Sequence, residues 1–316
     1  KLPFLLLPLA FAFMPAFSER PLRILPVLGA FILLFSACYS VSFLISDPDY
    51  YIAQYKFSHV LPTLPKRDHI RTSMSVTLFI IWCIYVWPHL QRSLRMVVGT
   101  CVILLVVYIH ILAAKSGLVS LYIFFAGWSF YMLFVKKKLV GLIIILAVPT
   151  CVFLAMTYIP TFKERKDYIY YSILMLKSGD KSGNYGDVSR LLSYKIAVDL
   201  IKEHPMVGVG TGDMYNEMNK QYELLYPNIP PEGRLLPHNQ FLIVALGCGI
   251  PAMFVFIIWV FMPLRLMGRN RQSFFFFMVW LILFIQLMIE PVLEVQLGVF
   301  LYLFFLLLQM HQLPSF

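Results

Sequence analysis

Residues 139–157 read LVGLIIILAVPTCVFLAMT, nineteen consecutive positions without a charge. At about 1.5 Å per residue a helix of that length rises about 28 Å, close to the ~30 Å hydrocarbon core of a bilayer. The apolar residues are contiguous rather than alternating, which sets the run apart from the roughly ten-residue alternating strands of an outer-membrane barrel. The rest of the chain has the same character. Of its 316 residues, 60% are hydrophobic, 16% aromatic and only 13% charged, whereas a soluble domain carries about 25% charged residues. Mean hydropathy is +0.77. One water-soluble core cannot hide so much apolar surface, so a soluble enzyme is excluded. The fold class is all-α, a polytopic transmembrane helical bundle.

Runs of spanning length predict nine spans in this chain, at about 3–17, 24–45, 74–90, 96–114, 118–135, 139–159, 238–263, 274–289 and 291–313. The first is short for a bilayer. The chain begins with Lys rather than Met, which predicts residues upstream of it. The five cysteines (Cys38, Cys83, Cys101, Cys151 and Cys248) lie in or beside apolar runs and form no C-x-x-C pair. They read as small packing residues, and neither a disulfide framework nor a zinc site has support.

The formal net charge is +10, and its placement matters more than its size. Short connections hold Arg20, Arg23, Arg92, Arg95, Lys136, Lys137, Lys138, Arg265, Arg269 and Arg271 against one acid, Glu19. Residues 46–73 hold four basic and three acidic residues, and residues 160–237 hold ten of each. Short loops with a Lys/Arg excess stay in the cytoplasm, so the two long loops are expected outside, in a bacterium the periplasm. The positive charge is then a topology signal, and nucleic acid drops out as a partner. The organisation expected is 1–159, transmembrane helices with an exterior loop at 46–73; 160–237, a large exterior helical loop; and 238–316, three C-terminal spans.

The large loop carries its own order. Lys177-Ser-Gly-Asp-Lys-Ser-Gly183 reads as a flexible turn. Asp187 can cap a helix whose apolar positions are Val188, Leu191, Leu192, Val198 and Ile201, and Pro205 stops it. Gly208-Val-Gly-Thr-Gly212 follows, then a second amphipathic helix from Asp213 toward Leu225. The glycine run lacks the preceding strand and G-x-G-x-x-G spacing of a dinucleotide loop. It reads as a tight turn, with anion approach to its backbone as the functional alternative.

Four polar residues at the expected exterior interface stand out: Arg71, Lys115, Arg190 and His238. Three permanent cations and one imidazole suit a phosphate-rich, lipid-linked ligand, because guanidinium forks match phosphate oxygens, Lys adds a point charge, and His exchanges a proton near neutrality. The bland readings stand beside this. Interfacial cations snorkel to headgroups, and a histidine at a helix mouth also serves as a cap. His59 and His69 carry the same argument more weakly. Glu290-Pro291 and Glu294 are unusual at membrane depth. They read first as a helix-end pair facing solvent, with a second catalytic group as the alternative.

His204-Pro-Met-Val-Gly-Val-Gly210 paired with Pro237-His-Asn-Gln-Phe241, just before a hydrophobic span, resembles the O-antigen ligase/polymerase superfamily. The ligase signature is His, then Asn/Ser/Gln, nine residues, Gly, two residues and Gly/Thr/Tyr. His238, Asn239 and Gly249 fit it, and Ala252 departs from the last position. Arg190 matches the Ser-Arg upstream of the H-P-x-x-G-x-G element. Lys115-Ser-Gly-Leu118 resembles the family's Ser-Arg-Gly turn, with Lys in place of Arg and the order shifted by one. Arg71 fits an exterior arginine at the start of a span. The resemblance covers roughly 60–316, and members have about a dozen spans, which implies about three more upstream.

The resemblance implies a cofactor-free, metal-independent glycosyltransferase of the bacterial inner membrane. It would take a glycan from undecaprenyl pyrophosphate at the periplasmic face and pass it to an acceptor hydroxyl of lipid A–core. Arg190 and His238 would be catalytic, and Arg71, Lys115 and Arg190 would hold the diphosphate, supported by Asn239, Gly208 and Gly210. The partners implied are the lipid-linked glycan, the acceptor and membrane lipids. Polymerase and protein O-oligosaccharyltransferase activities belong to the same superfamily and remain open. A lipid-linked glycan flippase is the alternative of another class, although its charges belong nearer mid-membrane.

Overall fold

The structure is a computed structural model that describes residues 2–14, 19–57, 59–65, 68–178, 186–266 and 271–311. Among these residues there are thirteen α-helices and no strand, and seven helices are long and apolar enough to cross a membrane. The protein is therefore an all-α polytopic membrane protein. Its contacts divide it into two units, one of residues 1–168, 268–282 and 303–316, the other of residues 169–267 and 283–302.

The first unit contains α1 (Pro3–Phe13), α2 (Glu19–Ser46), α3 (Pro48–Gln54), α4 (His69–Val86), α5 (Arg92–Leu112), α6 (Lys115–Phe130) and α7 (Val140–Tyr158). It also holds the first half of α8 (Pro160–Ser178) and parts of α12 (Arg271–Ile289) and α13 (Gln296–His311). α4 is its axis, touching α2, α5 and α6. The apolar window of α4 is 72% buried, against 11% for α7. A helix apolar all round must bury its surface in protein or give it to lipid. α4 does the first and α7 the second. Thr77 ties α4 to α6 through a hydrogen bond from its hydroxyl to the Gly117 carbonyl at 3.2 Å.

The second unit is built around α9 (Gly186–Glu203), α10 (Met214–Leu225) and α11 (Gln240–Phe261), with the end of α12 and the start of α13. Leu192, Ile196, Leu200 and Ile201 of α9 pack with Met218 and Tyr222 of α10 and Ala245 and Leu246 of α11. The four-residue spacing of Leu192, Ile196 and Leu200 brings them onto one face, with Ile201 at its edge. Two positions expected inward are not there, since Leu191 is 57% and Val198 37% exposed. The stripe instead runs through Leu192, Ile196 and Leu200, with small Ser193 and Ala197 buried beside it.

Two expected spans are shorter than read. α1 has 11 residues and α13 has 16. The last expected span, 291–313, begins later because residues 292–294 form a 3-10 turn after Pro291, which cannot continue a helix from α12. The turn expected at 177–183 falls mostly outside the described residues, as does Arg269 of the basic loop.

Candidate functional site

The second unit fastens the start of α11 to residues 288–294 through three consecutive side chains. Asn239 is the N-cap. Its Oδ1 accepts from the backbone N–H groups of Phe241 (2.9 Å) and Leu242 (3.1 Å), two of the donors a helix start leaves unpaired. Its Nδ2 donates to the Met288 carbonyl at 3.0 Å. Gln240 is buried, accepts from Leu293 N–H at 2.8 Å and donates to Glu294 Oε1 at 2.9 Å. Between them in function, the His238 ring reaches Glu290, with Nδ1 standing 3.1 Å from Oε1.

Glu290 corrects the reading of a solvent-facing helix-end pair. Its side chain is only 4% exposed, while Glu294 is exposed as expected. The difference comes from where α12 stops. Glu290 N–H still donates to Gln286 O (2.9 Å), and the turn then closes with Val292 N–H on Glu290 O (2.9 Å), folding the side chain inward. There it meets a second partner from α9, one hundred residues away in sequence. Arg190 Nη2 donates to the same Oε1 at 2.8 Å. A carboxylate buried alone is costly, and two cationic or donor partners offset that cost. Tyr194, one turn beyond Arg190, donates its hydroxyl to the His238 carbonyl at 2.7 Å. Burial raises the Tyr194 pKa, with the Arg190 charge pulling it down and Glu290 raising it. The phenol stays protonated and remains a donor.

A carboxylate only accepts hydrogen bonds. The His238 Nδ1 is therefore the donor in this contact, and Nε2 is the ring nitrogen on the far edge. The side chain is 23% exposed, so the imidazole is held on one edge and accessible on the rest. This is the arrangement of an oriented general base.

The glycine run is a clamp on α11. α11 is broken at Gly249, whose φ of 88° and ψ of 170° are not helical. The groups freed at the break are taken by the loop before α10. Val209 N–H donates to Leu246 O, and Ile250 N–H donates to Pro205 O, each at 2.8 Å. Gly208 has φ 68°, and a Cβ there would press on the backbone of residues 246–248; a Cβ on Gly249 would meet the Met206 carbonyl. Both conditions demand glycine. Gly210 also has positive φ but stands in more open space, its carbonyl accepting from Asp213 N–H at 3.2 Å.

Arg71 and Lys115 belong to the first unit. Asp68 caps α4 by accepting from Arg71 N–H (3.3 Å), and the Arg71 guanidinium returns to the same oxygen at 3.0 Å. Lys115 opens α6, with its ammonium 5.8 Å from the centroid of the Tyr168 ring, and Arg165 lies 5.5 Å from that ring. Both distances are within the range of a cation–π contact. Arg165 is 8% exposed and was not singled out in the sequence, where it sits in the charged run Lys163-Glu-Arg-Lys-Asp167. Its spacing of three from Tyr168 is the signal that could have found it. His59 is exposed and His69 opens α4. The D-x-D spacing Asp47-Pro48-Asp49 is a helix start, with Asp47 accepting from Tyr50 N–H at 3.1 Å. Among the described residues no three His, Cys, Asp or Glu side chains gather as a metal site.

The O-antigen ligase family model matches residues 100–257, half of the chain. The chain belongs to the O-antigen ligase family. Its members are glycosyltransferase-like enzymes of the membrane. No curated protein matches the chain. The matched segment contains Lys115, Arg190, Gly208, Gly210, His238, Asn239 and Gly249; Arg71 and Glu290 lie outside it. The family segment thus supplies the imidazole and guanidinium, and the C-terminal part of the chain supplies the carboxylate that joins them.

Proposed function

We propose that the protein is an O-antigen ligase that transfers a glycan from undecaprenyl pyrophosphate to a hydroxyl of lipid A–core at the periplasmic membrane face, without a metal. The observation that carries this reading is the convergence of Arg190 and His238 on the buried Glu290 carboxylate. In the reaction the acceptor hydroxyl gives its proton to His238 Nε2 as its oxygen forms a bond to the anomeric carbon. The bond from that carbon to the diphosphate oxygen breaks, and undecaprenyl pyrophosphate leaves with the electron pair. A diphosphate is already a good leaving group. The catalytic need is for charge stabilisation, which Arg190 provides as a fork.

Transport is the weaker reading because the break in α11 has its freed backbone groups occupied by Val209 and Pro205, whereas the broken helices of transporters offer such groups to cargo. A deletion strain tests the assignment. Loss of ligation leaves long glycans on the carrier and bare lipid A–core on a gel of surface glycans. Single-repeat caps on the core instead point to a polymerase. With purified protein, lipid-linked glycan and acceptor, product is expected to form in EDTA; lipid movement without product overturns the transferase reading.

A further inference from the structure

Both groups on which the proposed reaction depends rest on one oxygen atom. Arg190 Nη2 lies 2.8 Å and His238 Nδ1 lies 3.1 Å from Glu290 Oε1. The negative charge that would raise the proton affinity of the imidazole is therefore shared with a guanidinium. The carboxylate is 4% exposed, whereas Arg190 is 34% exposed and can turn toward a ligand. A diphosphate is a strong competitor for that fork. The joint between α11 and residues 288–294 is already fastened by Asn239 on Met288 and Gln240 on Leu293. Glu290 adds the link from that joint to α9 through Arg190, and it also sets a negative charge against the imidazole.

We propose that Glu290 is a positioning residue that makes the base depend on the donor: when the diphosphate draws Arg190 away, the whole Glu290 charge falls on the Nδ1–H of His238 and Nε2 becomes the stronger base. The inference rests on the diphosphate-transfer reading of the site. Donor binding then precedes activation of the acceptor hydroxyl, and an empty site holds a weaker base. The charged and titratable groups bonded to His238 or to its carboxylate are Arg190 and Tyr194 from α9 and Glu290 from the end of α12, while Glu294 in the following turn is held by Gln240. Of these, Arg190 is the one whose partner a phosphate can exchange.

The test follows modification of His238 by diethyl pyrocarbonate, read by peptide mass spectrometry across pH, with inorganic pyrophosphate as the probe. Only the neutral ring reacts, so the midpoint reports its proton affinity. Pyrophosphate should raise the midpoint in the wild type and raise it less in Glu290→Gln, where only the direct effect of the anion remains. Glu290→Gln should also bind pyrophosphate about fivefold or more tightly than wild type, because Arg190 loses its resident partner. Its kcat should fall while the donor KM falls too, a split that a purely structural role does not produce. If Glu290→Gln does not fold, Glu290→Asp, which withdraws the oxygen by one methylene, should show the same directions with smaller size. Equal midpoint shifts in wild type and the folded variant, no shift in wild type, or unchanged pyrophosphate affinity each overturn the inference. Failure of the transferase reading is distinct: wild type then makes no product although the difference in midpoints persists.

Discussion

Arg71 and Arg190 are both arginines near the starts of helices, and both hold a carboxylate at hydrogen-bonding distance, yet they are built differently. The partner of Arg71 is Asp68, three residues back, and the pair forms wherever α4 starts. The partner of Arg190 is Glu290, in the turn that ends α12, and it is present only when α9, α11 and that turn have assembled. The local pair, its side chains 14% and 17% exposed, asks nothing of the rest of the fold. Breaking a buried pair by removing one partner costs about 3–5 kcal/mol, because it strands a charge. The fold thus spends its specificity on the second arginine, and chemistry is expected to follow it.

That comparison can be broken or sharpened by substitution, beginning with the imidazole that shares the long-range carboxylate. His238→Ala should lower transfer by about 10²–10⁴-fold, the range for a general base, in a protein that still folds because Arg190 keeps Glu290 paired. Turnover near the wild-type rate returns His238 to a capping role. Arg190→Lys should lower transfer by about 10²–10³-fold, since a point charge cannot serve carboxylate and phosphate as a fork does. Gly249→Ala tests the clamp that holds α11 in place. It should cost about 1–3 kcal/mol of stability or more through the clash with Met206, seen as a lower melting temperature in detergent. Arg71→Lys should cost transfer about tenfold less than Arg190→Lys, the fork there being tied up locally. Equal losses at Arg71 and Arg190 would erase the distinction between the two regions.

The same contrast explains what was legible in the sequence. The spans were, because a run such as 139–157 states its solvent directly in its composition. His238, Asn239 and Gly249 were, because the signature that the resemblance rests on marks them at fixed spacing in one segment. The inward turn of Glu290 was not. Whether a carboxylate after α12 faces water depends on Pro291 closing a turn and on α9 arriving from one hundred residues upstream. Leu191 and Val198 misled for a related reason: an amphipathic pattern gives apolar positions, and the partner helices decide which of them are covered. Arg165 was hidden in a charged run, although its burial beside Tyr168 makes it a cation held out of water.

A structure of the full protein with undecaprenyl pyrophosphate bound tests the account most directly. The expected result is diphosphate oxygens within about 3 Å of the Arg190 guanidinium, with His238 still on Glu290 and its Nε2 facing the sugar-bearing end. A diphosphate held elsewhere, with Arg190 unmoved on Glu290, would contradict it.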